Sequence, residues 1–529
     1  MTAERDDPYR QRMERSRHIE ESATIGGIPI PREGDPRSRW FWPKPTVRIL
    51  FYTDTGLVNL DDDWDANEFG VRILHDLIVE HESDLADFEI SLVNRHRFSQ
   101  ADHKLTPKRL ADFDEVWFFG YRQADTSSEP ENELTDPEVA ALEDWMATGG
   151  VLITGDHANP RPPGADPHLD DLLALGRAIG HRVPRAGALR RWEGGPPQFG
   201  PGSFNTQVPT PEIGIDHPDF EAPGGPPQED EWPQELILKT FPTPSGPLDP
   251  TQPFGGRVHR LFCGRTRPIT VFPDHMHEGE LVTPTDLPVE KRPIGPAAQP
   301  LPEVIARGTD KRTGAVYDIV SAYDGSLAGV GRIVADSTWH HYFNVNLKGF
   351  PSGGHVRTQL GQFFLNLAVW LAPTAKRAAI SRWQLWKLVH NPTVLMTYGN
   401  SRIALGKAAA GVLRRTEGPC VLRDVFEPLV GAAAPSSDVL EPSPELLLGG
   451  VVEAYLDAFD RADEGDPSVR EESIDALFRR GLRAAHEDFT AALEDAAVQA
   501  GRARALFEER LNRDDRGAAC ESDESAEAD

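Results

Sequence analysis

From position 47 to 157, short apolar runs rich in β-branched and aromatic residues alternate with stretches of helical spacing. This rhythm limits the fold more than any other feature of the 529-residue chain. VRILFYT (47–53), FEISLVNRH (88–96), EVWFFGY (115–121) and VLITGDH (151–157) read as buried strands. Between the first two, residues 67–81 set Phe69, Ile73, Leu77 and Ile78 at helical spacing. Before the fourth, Thr135 precedes Asp136, Pro137 and Glu138, a capping box with proline in the first turn. Val139, Leu142, Trp145 and Met146 then share one face, and Gly149-Gly150 predicts a left-handed stop. A further helix is expected at 169–179. Such alternation implies a doubly wound, flavodoxin-like α/β fold with a mostly parallel sheet.

Residues 181–256, rich in Pro, Gly and charge, break the rhythm and read as an insertion over the sheet, a lid or a plain loop. Strand signals return at 258–263, 269–273, 315–323 and 332–338. A helix carrying Val356, Leu360, Phe363, Phe364, Leu367 and Trp370 closes the unit at Pro373. The α/β domain therefore spans 46–372. Residues 1–45 form an extended arm whose end Trp40 and Trp42 pin. Residues 373–512 read as helices that pack together or join copies into a homo-oligomer; Ile474, Leu477, Phe478, Leu482 and Phe489 stripe the last of them. The acidic, Ala/Ser-rich stretch 513–529 reads as a disordered tail.

Charge and cysteine usage exclude several function classes. The 84 acidic against 55 basic residues give a formal charge of −29, which repels phosphate backbones and anionic lipid. Nucleic acid and membrane are not expected partners, and Arg185, Arg190 and Arg191 read as a solvated basic patch. Cys263, Cys420 and Cys520 are far apart and form no CxxC pair, so neither a disulfide framework nor a thiolate zinc site is predicted. A cytoplasmic location fits, since the charged N-terminus shows no secretory segment and no apolar run spans a bilayer.

In an open parallel sheet, ligands bind outside the carboxyl ends of the strands. Those ends carry Asp54, Tyr121, Asp156-His157, and Asp336 followed by Ser337-Thr338-Trp339-His340-His341. Asp54, Tyr121 and Trp339 are candidate ligand contacts; Asp156, His157, His340, His341 and Asp336 are candidate catalytic groups. Asp336 suits two roles, orienting a histidine tautomer or capping the turn after its strand. Adjacent residues on a strand point opposite ways, so only one of His340 and His341 would face the site. VFPDHMHEGE adds Asp274, His275, His277 and Glu278, an H-x-H pair with carboxylates that would suit Zn, Mn or Fe. The acidic run LDDDWDANE (60–68) fails as a calcium loop, with Ala66 in place of the required glycine and Arg72 in place of the bidentate glutamate.

The stretch "helix, GG, VLITGDHA" together with GRIVADSTWHH resembles the class I glutamine amidotransferase-like superfamily, nearest its divergent ThuA-like branch. The resemblance covers about residues 46–372. It implies that Asp156, His157 and one of His340 or His341 face a shared pocket. The family's nucleophilic cysteine is missing: Gly155-Asp156-His157 stands at the elbow, and Tyr342 where a glutamate would follow the late-strand histidine. Glutaminase chemistry is therefore not expected. Two readings remain, a hydrolase acting on a small polar metabolite through a His/Asp site with or without a metal, and a non-catalytic ligand-binding or scaffold protein.

Overall fold

The computed structural model describes residues 24–25, 28–29, 40–53, 70–81, 84–94, 103–119, 134–154, 190–191, 204–205, 233–241, 257–273, 276–277, 280–281, 300–309, 316–350, 352–418, 443–466, 468 and 473–523. The chain divides into two compact units. One comprises Trp42–Gln384 with Leu413–Asp438, the other Met1–Phe41 with Leu385–Val412 and Val439–Asp529.

The first unit holds an eight-stranded sheet. Its strands are β1 (Thr46–Thr53), β2 (Asp87–Asn94), β3 (Glu115–Phe119), β4 (Gly150–Ile153), β5 (Ile237–Leu238), β6 (Glu303–Thr309), β7 (Val316–Tyr323) and β8 (Ile333–Asp336). Their order is β5-β6-β7-β8-β4-β3-β1-β2. The stretch β2-β1-β3-β4-β8 is parallel throughout, in the flavodoxin-like order, with the reversal of direction at β1/β3. β5, β6 and β7 extend it as antiparallel strands. The sheet is thus mixed but mostly parallel, and the α/β expectation holds.

Helices cover both faces. α1 (Arg72–Val79) follows β1, and α2 (Asp136–Trp145) precedes β4. On one face Leu50, Tyr52, Val116, Phe118, Val151 and Ile153 meet Val139, Leu142 and Met146 of α2 in a buried cluster. Each such side chain contributes about 1.5–3 kcal/mol when fully buried. The alternate strand residues, among them Phe51, Trp117 and Phe119, stack on the opposite face. α1 packs there on α3 (His355–Leu371), where Gly361 leaves room for Leu77.

The start of α2 is built as its sequence predicts: the Glu138 carboxylate accepts from the Thr135 backbone N–H (2.9 Å) and hydroxyl (2.7 Å). Its end is not. Neither Gly149 nor Gly150 has positive φ. They are needed for space instead: a Cβ on Gly149 would meet the Trp145 ring at 2.3 Å, and one on Gly150 the Leu371 carbonyl oxygen at 2.1 Å.

Three further expectations change. Residues 258–263 form no strand of their own; after the pair Arg257–Val258 comes a 3-10 turn at Arg260–Phe262, where His259 Nδ1 accepts from Leu261 N–H (3.3 Å). Residues 271–273 pair with Pro233–Glu235 outside the main sheet. Cys263 is disulfide-bonded. A disulfide needs only spatial approach, which sequence spacing does not report. Non-reducing peptide mapping should find Cys263 joined to one of the other two cysteines, and reductant should lower the melting temperature by several degrees. Three free thiols in the native chain would contradict this. The predicted helix at 169–179, the acidic run at 60–68 and most of the insertion lie outside the described residues.

One division between the units falls at 384/385, inside helix α4 (Thr374–Val389). Pro373 only separates α3 from α4. The second unit contains α5 (Pro392–Thr397), the start of α6 (Arg402–Glu417), α7 (Pro444–Asp463) and α8 (Ile474–Asp523). Here Trp40 is fully buried and stacks on Phe459 (5.4 Å), while Phe41 meets Trp386 edge-on. Trp42 belongs to the first unit, under the Arg382 guanidinium (4.5 Å). α7 touches its neighbours backbone to backbone. A Cβ on Gly406 would lie 1.6 Å from the Glu445 carbonyl oxygen, and one on Gly450 2.3 Å from that of Gly481. Arg402 bridges Glu453 of α7 and Asp488 of α8. α8 continues helically to Asp523. No described helix is long and apolar enough to cross a membrane.

Candidate functional site

The pairing registers align the last residues of the parallel strands. Asn94 pairs with Thr53, and Thr53 with Phe119. Phe118 pairs with Ile153, and Ile153 with Ala335, so Thr154 and Asp336 extend the same row. In this row Thr53, Asn94, Thr154 and Asp336 are all buried. Burying polar groups is costly unless they are hydrogen-bonded. Thr154 meets that need by donating its hydroxyl to the Phe118 carbonyl (3.1 Å).

Asp336 organises the turn that follows. Its Oδ1 accepts from the Thr338 backbone N–H (3.2 Å), which makes it a turn cap. Its Oδ2 lies 2.8 Å from His341 Nδ1 and accepts from the Tyr342 hydroxyl at 3.0 Å. One oxygen thus serves the turn, and the other the His341 ring and the Tyr342 hydroxyl. In this pairing the Nδ1 edge of the ring faces the carboxylate and Nε2 faces away from it. Burial pushes the Tyr342 phenol well above its ordinary value, and the neighbouring Asp336 charge and hydrogen bond add to this. Tyr342 therefore stays a neutral donor.

His340 and His341 lie in a turn, not on the strand, yet they do diverge. His340 stacks on Trp339 (3.7 Å between centroids) and its Nδ1 meets Asn346 Oδ1 at 3.1 Å. The His340 backbone N–H donates to the Thr338 hydroxyl (3.1 Å). His341 packs against Phe272 (4.6 Å). Asn344 ties the turn to the start of α1, donating its N–H to the Gly70 carbonyl and accepting from Ile73 N–H. Trp339, His340, His341 and Asp336 are each 0% exposed.

Asp54, Tyr121, Asp156, His157, Asp274, His275 and Glu278 lie outside the described residues. His277 belongs to the two-residue strand Met276–His277, paired with Phe204–Asn205; that strand does not include His275. Among the described residues, no group of three His, Cys, Asp or Glu is arranged to hold a metal ion. The segment that leads to the H-x-H pair does start beside the site, because Phe272 touches His341 and Asp274 follows Pro273.

Sequence reasoning gave Tyr342 and Thr338 no role in the site and did not single out Asn346. The usable signal for the first was the D-x4-H-Y spacing, which a single tight turn folds onto one carboxylate. It also missed Glu115 at the opposite, amino end of the strands. Burial pushes the Glu115 carboxyl well above its ordinary range; the Trp117 indole N–H, donating at 2.8 Å, opposes this and the Asp114 charge adds to it.

No family model matches this chain, and neither does any curated protein sequence. Among solved structures, the mmIFT52 N-terminal domain aligns with 57% of this chain and 90% of its own length, at 11% identity and a TM-score of 0.29. A likeness at that level bears on neither fold nor function.

Proposed function

We propose that the α/β unit is a hydrolase-like, amidotransferase-related domain that acts on a small polar metabolite at the carboxyl edge of its sheet. His341 is the general base and Asp336 the group that orients it. What supports this reading is the 2.8 Å contact between Asp336 and His341 at the end of the last parallel strand, in the row where ligands of open α/β sheets bind. Nε2 takes the proton from an attacking water, and Asp336 stabilises the imidazolium that results. Tyr342 holds the carboxylate in place. Asp274, His275, His277 and Glu278 are the groups that would hold a divalent metal, which would supply an activated water or a polarised carbonyl.

A second reading, a non-catalytic ligand-binding scaffold whose helical unit drives assembly, is favoured by one observation. Asp336, His340 and His341 have no exposed surface, as befits a network that only shapes the edge.

A panel of activated esters, amides and glycosides, tested with and without added zinc or manganese, separates the two. Wild-type turnover should fall at least about 100-fold in His341→Gln and by less in Tyr342→Phe, which loosens the Asp336 carboxylate without removing the base. Melting curves of each variant confirm folding. Absence of wild-type turnover, or full activity in folded His341→Gln, would sink the hydrolase and leave the scaffold.

A further inference from the structure

Helix α8 is 50 residues long, and only its first part is held. Leu477, Phe478, Gly481 and Ala485 are buried, Gly481 lies against Gly450 of α7, and Asp488 meets Arg402. α7 begins at Pro444, six residues before Gly450, so in this antiparallel hairpin it runs out near position 487 of α8. Every residue from Thr490 to Glu509 is exposed. That is ~30 Å of helix.

The apolar face does not stop where α7 stops. Phe489, Leu493, Ala496, Ala500, Ala503 and Phe507 succeed one another in alternating steps of four and three, on the face that Phe478 and Ala485 begin. This is the 3.5-residue repeat of a helix that packs along its length on another helix. Leu493 is 40% exposed and Phe507 64%; with Val498 and Leu506 they make up four of the ten exposed large apolar side chains among the described residues. An exposed helix of this length is marginal without a packed face.

We propose that this part of α8 pairs antiparallel with the same segment of a second copy of the chain. The seam is complementary to itself. Turned end to end, it sets Phe489 against Phe507, Leu493 against Ala503 and Ala496 against Ala500, and the two-fold axis repeats each pair. It carries no charge for a partner of opposite sign to match. Direction follows from charge elsewhere: each copy carries −29. A parallel pair would bring the two helical units side by side. An antiparallel pair keeps them at opposite ends, further apart than a Debye length of about 8 Å. The inference takes up the assembly half of the scaffold reading; its readout is association rather than turnover, so the two fail separately.

Sedimentation of the full chain should show a dimer at micromolar concentration, and Leu493→Glu should raise its dissociation constant at least about tenfold with helicity retained by circular dichroism. Because that variant could fray the helix, cross-linking gives a second measure. In a background with Cys263, Cys420 and Cys520 all changed to Ser, chains carrying Leu493→Cys should form disulfides with chains carrying Ala503→Cys when mixed, and neither should cross-link with itself. A monomer at every concentration, or self-cross-linking of each variant alone, would overturn the proposal.

Discussion

Replacing Asp324 with alanine is expected to destabilise the α/β unit by about 3–5 kcal/mol, the usual cost of leaving a buried charge without its partner. The charge left behind is Arg332, whose side chain is 3% exposed. Its Nε and Nη2 donate to the two Asp324 oxygens at 2.7 and 2.9 Å, Nη1 donates to the Trp370 carbonyl at 3.1 Å, and the guanidinium lies 4.7 Å from the Trp370 ring. A guanidinium does not neutralise by losing a proton, so it must keep its charge in place. Asp324→Asn retains one acceptor and should cost less. Urea denaturation with a two-state fit checks both; an alanine variant within 1 kcal/mol of wild type would show that the pair contributes little.

The same corner governs the response to acid. Burial alone would raise the Asp324 carboxyl, but the Arg332 charge and the hydrogen bonds from Arg332 and Ser326 outweigh it and hold the group at about 2. Burial holds the neighbouring His259 down at about 3. Both groups sit below their ordinary values of 3.8 and 6.5. Their contributions are therefore complete above those values and are lost as pH falls, from 6.5 towards 3 for His259 and from 3.8 towards 2 for Asp324. Stability of the wild type should decline in two overlapping stages, and Asp324→Ala should lack the lower one. Glu115 has the opposite slope: its raised carboxyl contributes fully below 4.5 and loses that contribution as pH rises.

What could be read from sequence was what neighbouring residues decide among themselves. β1 to β4 announce themselves by apolar runs, and the Thr135–Glu138 box marks the start of α2 because all its partners lie within one turn. β6 escaped notice: Val304, Ile305 and Ala306 make a short run between Glu303 and Arg307, and only pairing with β7 makes them a strand. At 258–263 the apolar run misled, because the His259 ring captures the Leu261 N–H and tightens the chain into a 3-10 turn. Gly149 and Gly150 were rightly singled out for the wrong reason. Their constraint comes from Trp145 and from Leu371, more than 200 positions downstream of Gly150, and no local rule reports it. At the site, strand ends pointed to Asp336 and the two histidines because topology alone brings carboxyl ends to one edge. The row of Asn94, Thr53 and Thr154 stayed hidden, since register is a property of pairs of strands.

Asp336→Ala should have an effect at least as large as loss of Asp324, and it tests what the buried carboxylate is for. Three polar groups lose their partner at once: the Thr338 N–H, His341 Nδ1 and the Tyr342 hydroxyl. Each buried polar group left unsatisfied costs about 1–3 kcal/mol, so the sum is roughly 3 kcal/mol or more even if the turn relaxes. The unit should unfold at markedly lower urea, and the polar row beside it should exchange its amide hydrogens faster. Pairing the change with Tyr342→Phe removes one orphaned donor together with its acceptor. The double variant should then recover about 1 kcal/mol or more relative to the sum of the single changes. Such coupling follows from hydrogen bonding alone and holds for either proposed function. Strict additivity in the cycle would mean that the 3.0 Å contact contributes nothing. The picture of Asp336 as the organiser of this edge, on which His341 depends for its orientation, would then have to be abandoned.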